Sequence, residues 1–127
     1  MSLAGDAMKH PPRILIVDDD PEIGRMLTRS LARHGFEVDA VTSGGEALAK
    51  AREAVYDAAL VDLVMPGMDG ADLASELRRV APGLPIGLLT GYAHSPLIPT
   101  DERSGMRVFA KPVIVQDLVD FLNQEIG

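Results

Sequence analysis

The feature that most constrains this chain is an alternation: five short apolar runs, several rich in β-branched residues, alternate with stretches of helical spacing. Ile14-Leu15-Ile16-Val17 and Ala58-Ala59-Leu60-Val61 are apolar at every position and too short to be buried helices. That pattern belongs to strands covered on both faces. Residues 37–42 alternate as a second strand, residues 85–90 supply a fourth and residues 107–110 a fifth. Between them, apolar residues recur at helical spacing at Ile23, Met26, Leu27 and Leu31, at Ala47, Leu48, Ala51 and Val55, at Leu73, Ala74, Leu77 and Val80, and at Val115, Leu118, Val119, Leu122 and Ile126. Punctuation falls in the right places. Asp20-Pro21 reads as an N-cap followed by proline at the first helical position, Ser43 as a second cap, and Gly35 and Pro82-Gly83 as stops. Strand and helix in alternation predict an α/β fold: a parallel sheet with helices on both faces.

A length of 127 residues suits one core, so residues 13–127 are read as one domain and residues 1–12, which show no periodicity, as a disordered tail. No apolar run approaches the ~20 residues of a membrane span, and no secretory leader is legible, so the expectation is a soluble, cytoplasmic protein. Cysteine is absent, which excludes disulfides and thiolate metal sites. A net charge of −7 argues against direct nucleic-acid binding, which depends on clustered Lys and Arg.

In a doubly wound sheet, ligands bind beyond the carboxyl ends of the strands. Asp18 and Asp19 follow the first strand, Asp62 ends the third, Thr90 ends the fourth and Lys111 follows the fifth. The topology opens these ends onto one face. Packed carboxylates repel unless a cation joins them, and all-oxygen ligands at an accessible site favour a hard ion such as Mg²⁺, with positions left for a phosphoryl oxygen. A carboxylate can then attack phosphorus and form an acyl phosphate, with a lysine and a hydroxyl stabilising the transferring group. Taken singly, each residue has a plainer reading: Asp18-Asp19-Asp20 as a solvated cap, Thr90 as a strand end, Lys111-Pro112 as a turn. Asp62, inside an apolar run, is the hardest to read that way, because an unpaired buried carboxylate is costly.

Four motifs in order carry a family resemblance: Ile16-Val17-Asp18-Asp19-Asp20-Pro21, then Val61-Asp62-Leu63-Val64-Met65-Pro66-Gly67-Met68-Asp69-Gly70, then Leu89-Thr90-Gly91, then Ala110-Lys111-Pro112. Over residues 13–126 the chain resembles the receiver domains of bacterial two-component response regulators. The resemblance implies a flavodoxin-like five-stranded sheet of order 2-1-3-4-5. It implies phosphorylation of Asp62 by a sensor histidine kinase or phosphotransfer domain, with Mg²⁺ bound by Asp19, by Asp18 mainly through water, by Asp62 and by the Val64 carbonyl. Thr90 and Lys111 would bind the phosphoryl group, the Lys111-Pro112 bond would be cis, and the signal would pass to a downstream effector or an attached output domain. Gly70 would permit the turn after Asp62, and Asp69 would cap the third helix.

Two departures from the pattern stand out. The position three before the lysine, usually aromatic in the family and coupled to the threonine, is Val108, and alternation turns Phe109 to the other side of the strand. Pro96 and Pro99 interrupt the stretch where a fourth helix is usual, so that helix is expected to be missing, short or displaced. Two rival readings remain: a receiver-like interaction module that is never phosphorylated, and a small phosphohydrolase suggested by the Asp-x-Asp within Asp18-Asp19-Asp20. The second lacks the cap region and late acidic pair such enzymes need.

Overall fold

The computed structural model describes residues 11–65, 67–91 and 106–126. Of the expected tail at residues 1–12, residues 1–10 lie outside the described residues, while the Pro12 carbonyl accepts from the Glu37 amide at 2.9 Å; the expected irregular fourth helix, around Pro96 and Pro99, also lies outside them.

The elements, in chain order, are β1 (Arg13–Val17), α1 (Pro21–Ala32), β2 (Glu37–Val41), α2 (Gly44–Glu53), β3 (Ala58–Asp62), the two-residue strands β4 (Val64–Met65) and β5 (Met68–Asp69), α3 (Gly70–Val80), β6 (Ile86–Thr90), β7 (Met106–Ala110) and α4 (Val115–Ile126). Five strands form one parallel sheet in the order β2-β1-β3-β6-β7. With the small β4/β5 pair set apart, this is the flavodoxin-like order 2-1-3-4-5.

The helices begin where local chemistry favours it. Asp20 accepts a hydrogen bond from the Glu22 amide and Pro21 opens α1. Ser43 accepts from the Glu46 amide, and its hydroxyl donates back to the Glu46 carboxylate, a reciprocal cap for α2. Asp69 accepts from the Ala71 amide at 2.7 Å and caps α3. Each cap satisfies an amide that the first helical turn leaves without an internal partner.

The sheet is buried on both sides. Leu15, Val17, Ala59, Val61, Ile86 and Leu88 face Ala47 of α2 and Leu73, Ala74 and Leu77 of α3. Ile14, Ile16, Ala58, Leu60 and Leu89 face Leu27 and Leu31 of α1 and Leu118, Phe121 and Leu122 of α4. Burying each large apolar side chain among these fully contributes about 1.5–3 kcal/mol. Two positions on the expected apolar stripes face water instead. Val55 is 84% exposed, because α2 stops at Glu53 and Ala54 is already extended; Met26 lies at the rim of its stripe and is half exposed. Tyr56, next to Val55, is the residue that turns inward.

At the amino ends of the strands a polar clasp joins β1, β2 and the entry to β3. The Arg13 guanidinium donates to Asp39 at 3.0 Å and lies 5.2 Å from the Tyr56 ring centre. The Tyr56 hydroxyl donates to the same Asp39 oxygen at 2.6 Å, and the Arg13 amide donates to the Asp57 carboxylate. The Tyr56 hydroxyl, with Arg13 beside it, lowers the Asp39 pKa despite partial burial. Burial and the Asp39 carboxylate push the Tyr56 phenol up to about 12.

Candidate functional site

Strand register explains why residues distant in sequence meet. Val17 pairs with Val61, so Asp18 and Asp62 are each the next residue along adjacent strands. Asp62 pairs with Leu89, with Thr90 one step beyond; Thr90 pairs with Ala110, with Lys111 one step beyond. The ladder runs on past the strand ends and holds these residues. The Asp18 amide donates to the Val41 carbonyl, Leu63 to Leu89, and Lys111 to Thr90.

The site forms at these carboxyl ends. Asp18, Asp62 and Thr90 are the buried polar residues of the described chain, while Asp19 is exposed. One carboxylate oxygen from each of Asp18, Asp19 and Asp62 lies within 4.8 Å of the others. The Lys111 ammonium reaches Asp18 Oδ2 at 3.2 Å and Asp62 Oδ1 at 3.4 Å. Asp18 Oδ1 accepts from the Asp20 amide at 2.9 Å, so both Asp18 oxygens are engaged. The Lys111-Pro112 bond is cis, in line with the family resemblance.

The electrostatics are unbalanced. Burial, then the neighbouring Asp18, raise the Asp62 pKa, against the opposing pull of the Val64 amide and Lys111. Burial would lower the Lys111 pKa, but Asp18 and Asp62 outweigh it and raise it. Three carboxylates thus face one ammonium. The surplus negative charge and the all-oxygen donor set fit a hard divalent cation of the Mg²⁺ type.

The loop after Asp62 is shaped by two details that the sequence only half discloses. The Val64 amide donates to Asp62 Oδ1 at 3.2 Å, whereas the family resemblance implies a role for the Val64 carbonyl alone. The available signal is generic: an Asp side chain often bonds an amide two residues on. Gly70 does more than permit a turn. A Cβ there would lie 2.4 Å from the Asp62 carbonyl oxygen and 2.5 Å from Leu63 Cα, so α3 starts in direct backbone contact with the residue that carries the site. Its amide donates to the Leu63 carbonyl at 2.9 Å. The Val64 side chain is 63% exposed at the rim.

Known proteins similar to this chain in sequence and in fold are numerous. The family described as response regulator receiver domain matches residues 14–123. The response regulator receiver protein CpdR of Brucella abortus is 35% identical over 109 residues, covering 85% of this chain and 91% of its own length. A response regulator receiver protein of Anaeromyxobacter is 40% identical over 109 residues, but this chain spans only 46% of its length. Among solved structures, response regulator protein TrrA from Thermotoga maritima in complex with Mg(2+)-BeF superposes with a TM-score of 0.79 at 32% identity, over 90% of this chain and 98% of that one. TrrA in complex with histidine kinase ThkA matches with the same TM-score at 31% identity, covering 91% of this chain and 99% of that one.

Proposed function

The chain belongs to the response regulator receiver family, and from that premise we propose that Asp62 accepts a phosphoryl group from a sensor histidine kinase or phosphotransfer domain. The observation that carries the reading is the Lys111 ammonium bridging Asp18 and Asp62, with the Asp19 carboxylate alongside.

In this reading an Asp62 carboxylate oxygen attacks phosphorus, the bond from phosphorus to the donor imidazole nitrogen breaks, and the phosphoryl group passes to Asp62 as an acyl phosphate. The Val64 amide and Lys111 hold Asp62 Oδ1 and so fix the rotation of the carboxylate for attack. Lys111 is already charged and close, and follows the developing charge onto the phosphoryl oxygens. Thr90, one step past the Asp62 partner on β6, offers its hydroxyl to one of those oxygens. Asp19, Asp18, Asp62 and the Val64 carbonyl would hold Mg²⁺, which would offset the surplus negative charge of the site and of the transferring group. The Mg(2+)-BeF and kinase complexes of TrrA support both the ion and the class of donor. Because relatives such as the Anaeromyxobacter protein are longer, the output is assigned to a downstream effector or an attached domain.

The test is incubation with Mg²⁺ and a small phosphodonor, read by mass, with Asp62→Asn as control. One Asp62-dependent phosphoryl adduct per chain is expected. Its absence would favour the unphosphorylated interaction module, and repeated turnover of a phosphate ester would favour the phosphohydrolase.

A further inference from the structure

Asp20 is exposed and stands outside the cluster of Asp18, Asp19 and Asp62, yet its main chain reaches into it. The Asp20 amide donates to Asp18 Oδ1 at 2.9 Å, and the other Asp18 oxygen accepts from Lys111 at 3.2 Å. Asp18 is buried, so solvent is a poor substitute for a partner that loosens.

The same residue begins α1. The Asp20 side chain accepts from the Glu22 amide at 2.9 Å, and its carbonyl accepts from the Gly24 amide at 3.3 Å. Its backbone is extended, with φ −90° and ψ 108°. Pro21 accounts for ψ but not for φ, because a residue before proline is held to extended ψ while its φ keeps a range of roughly 80°. That φ is the torsion between the Asp20 amide plane and α1. The bond from the Glu22 amide to the Asp20 side chain closes a ring across it and narrows it. α1 is in turn held by the core. Leu27 and Leu31 are fully buried, and Gly24 lies so near β2 that a Cβ on it would be 3.3 Å from the Ala40 Cβ. The cap thus aims the Asp20 amide from a firmly seated helix.

We infer that Asp20 is a positioning residue for the acid site: by capping α1 it directs its own amide onto Asp18 and fixes the plane of that carboxylate for a divalent cation. The inference rests on the proposed Mg²⁺ site. Like charge favours turning the Asp18 carboxylate away from Asp19 and Asp62, and the two bonds to its oxygens oppose that rotation. With the Oδ1 bond loosened, the carboxylate turns, and an arriving cation must restore the arrangement at the expense of its own affinity.

The experiment titrates the metal-free full chain with Mg²⁺ and follows the heat of binding together with the NMR signals of the Asp18 carboxylate carbon and the Lys111 ammonium. It compares the wild type with Asp20→Ala, Asp20→Asn and Ser43→Ala. Asparagine caps a helix about as well as aspartate but carries no charge. Ser43→Ala removes the cap of α2, whose bonds go to Glu46, and controls for lost stability. Asp20→Ala should shift both metal-free signals and weaken Mg²⁺ binding by about threefold to tenfold. That is less than the roughly 10–100-fold typical of deleting a partner of a metal ligand, because the amide is loosened and not lost. Asp20→Asn and Ser43→Ala should bind Mg²⁺ like the wild type. The inference is overturned if Asp20→Ala binds as tightly as the wild type or more so, or if its Asp18 and Lys111 signals stay in place. It is also overturned if Asp20→Asn weakens binding as much as Asp20→Ala, which assigns the effect to charge, or if Ser43→Ala does, which assigns it to stability. A wild type that binds no Mg²⁺ overturns the proposed ion site itself, and this inference with it.

Discussion

The substitution Gly70→Ala tests how tightly the acid site is built into the fold. Gly70 has no positive φ, so alanine is conformationally acceptable there, and as the first residue of α3 it should even favour the helix by about 0.5–1 kcal/mol. Against this stands a steric conflict with the Asp62 carbonyl oxygen at 2.4 Å and Leu63 Cα at 2.5 Å. Both are backbone atoms, so no side-chain rotation relieves them. The Asp62–Leu63 segment must retreat by several tenths of an ångström, and overpacking of this sort costs about 1–3 kcal/mol, here at the upper end. The net loss should be about 2 kcal/mol, or a fall of roughly 6–10 °C in melting temperature for a domain of this size. Gly45→Ala is the internal control. Gly45 lies in α2, and a Cβ on it would have nothing within 4 Å, so the same change there should stabilise by about 0.5–1 kcal/mol. Urea denaturation measures both. Phosphoryl acceptance by the Gly70 variant should also slow by about tenfold or more, because the displaced atoms belong to Asp62, the proposed acceptor. A Gly70→Ala protein within about 0.5 kcal/mol of wild type would refute the close contact from which these numbers follow.

Three further outcomes are expected. Asp62 carries a raised pKa, so the native state holds its proton more firmly than the unfolded chain, and its charge becomes increasingly destabilising as pH rises from the ordinary Asp range through the raised value. Asp62→Asn should therefore stabilise the metal-free protein at neutral pH by on the order of 1 kcal/mol, and a gain that did not shrink in mild acid would contradict this. Tyr56→Phe should cost about 1–2 kcal/mol in urea titrations by removing the 2.6 Å bond to Asp39. Because the folded Tyr56 pKa is raised from 10.0 to about 12, its contribution is complete below pH 10 and lost as pH rises through 12, so wild type and variant should converge over that interval. Val64→Asn replaces the exposed apolar rim beside Asp62 with a group that can hydrogen-bond water. Decay of the phosphorylated protein, followed by mass, should quicken several-fold, and an unchanged lifetime would show that Val64 does not shield the site.

What is local or strongly patterned is legible in the sequence. Ile14 to Val17 and Ala58 to Val61 read as strands because no other element is apolar at every position over so short a run. Asp20, Ser43 and Asp69 read as caps because a cap is a bond between near neighbours. Val55 misleads because it continues the α2 period, while the backbone of Ala54 has already left the helix. The meeting of Asp18, Asp19, Asp62 and Lys111 is legible only through topology and family resemblance, since nothing near Lys111 in the chain points to Asp18. The clasp of Arg13, Asp39 and Tyr56 has no signal at all: its members sit on three different segments and share no period.

That clasp also bears on how the protein keeps to itself. β2 borders the sheet, and among the described residues it pairs only with β1, which leaves a ready template for another chain. The strand carries Glu37 and Asp39 in five residues, and a second copy approaching edge to edge would bring like charges together. Arg13 binds the Asp39 carboxylate from within the molecule and lies 3.9 Å from Glu37, holding the border strand against its own neighbour. The clasp thus keeps charged side chains on the border of the sheet, the arrangement that disfavours edge-to-edge pairing with another chain.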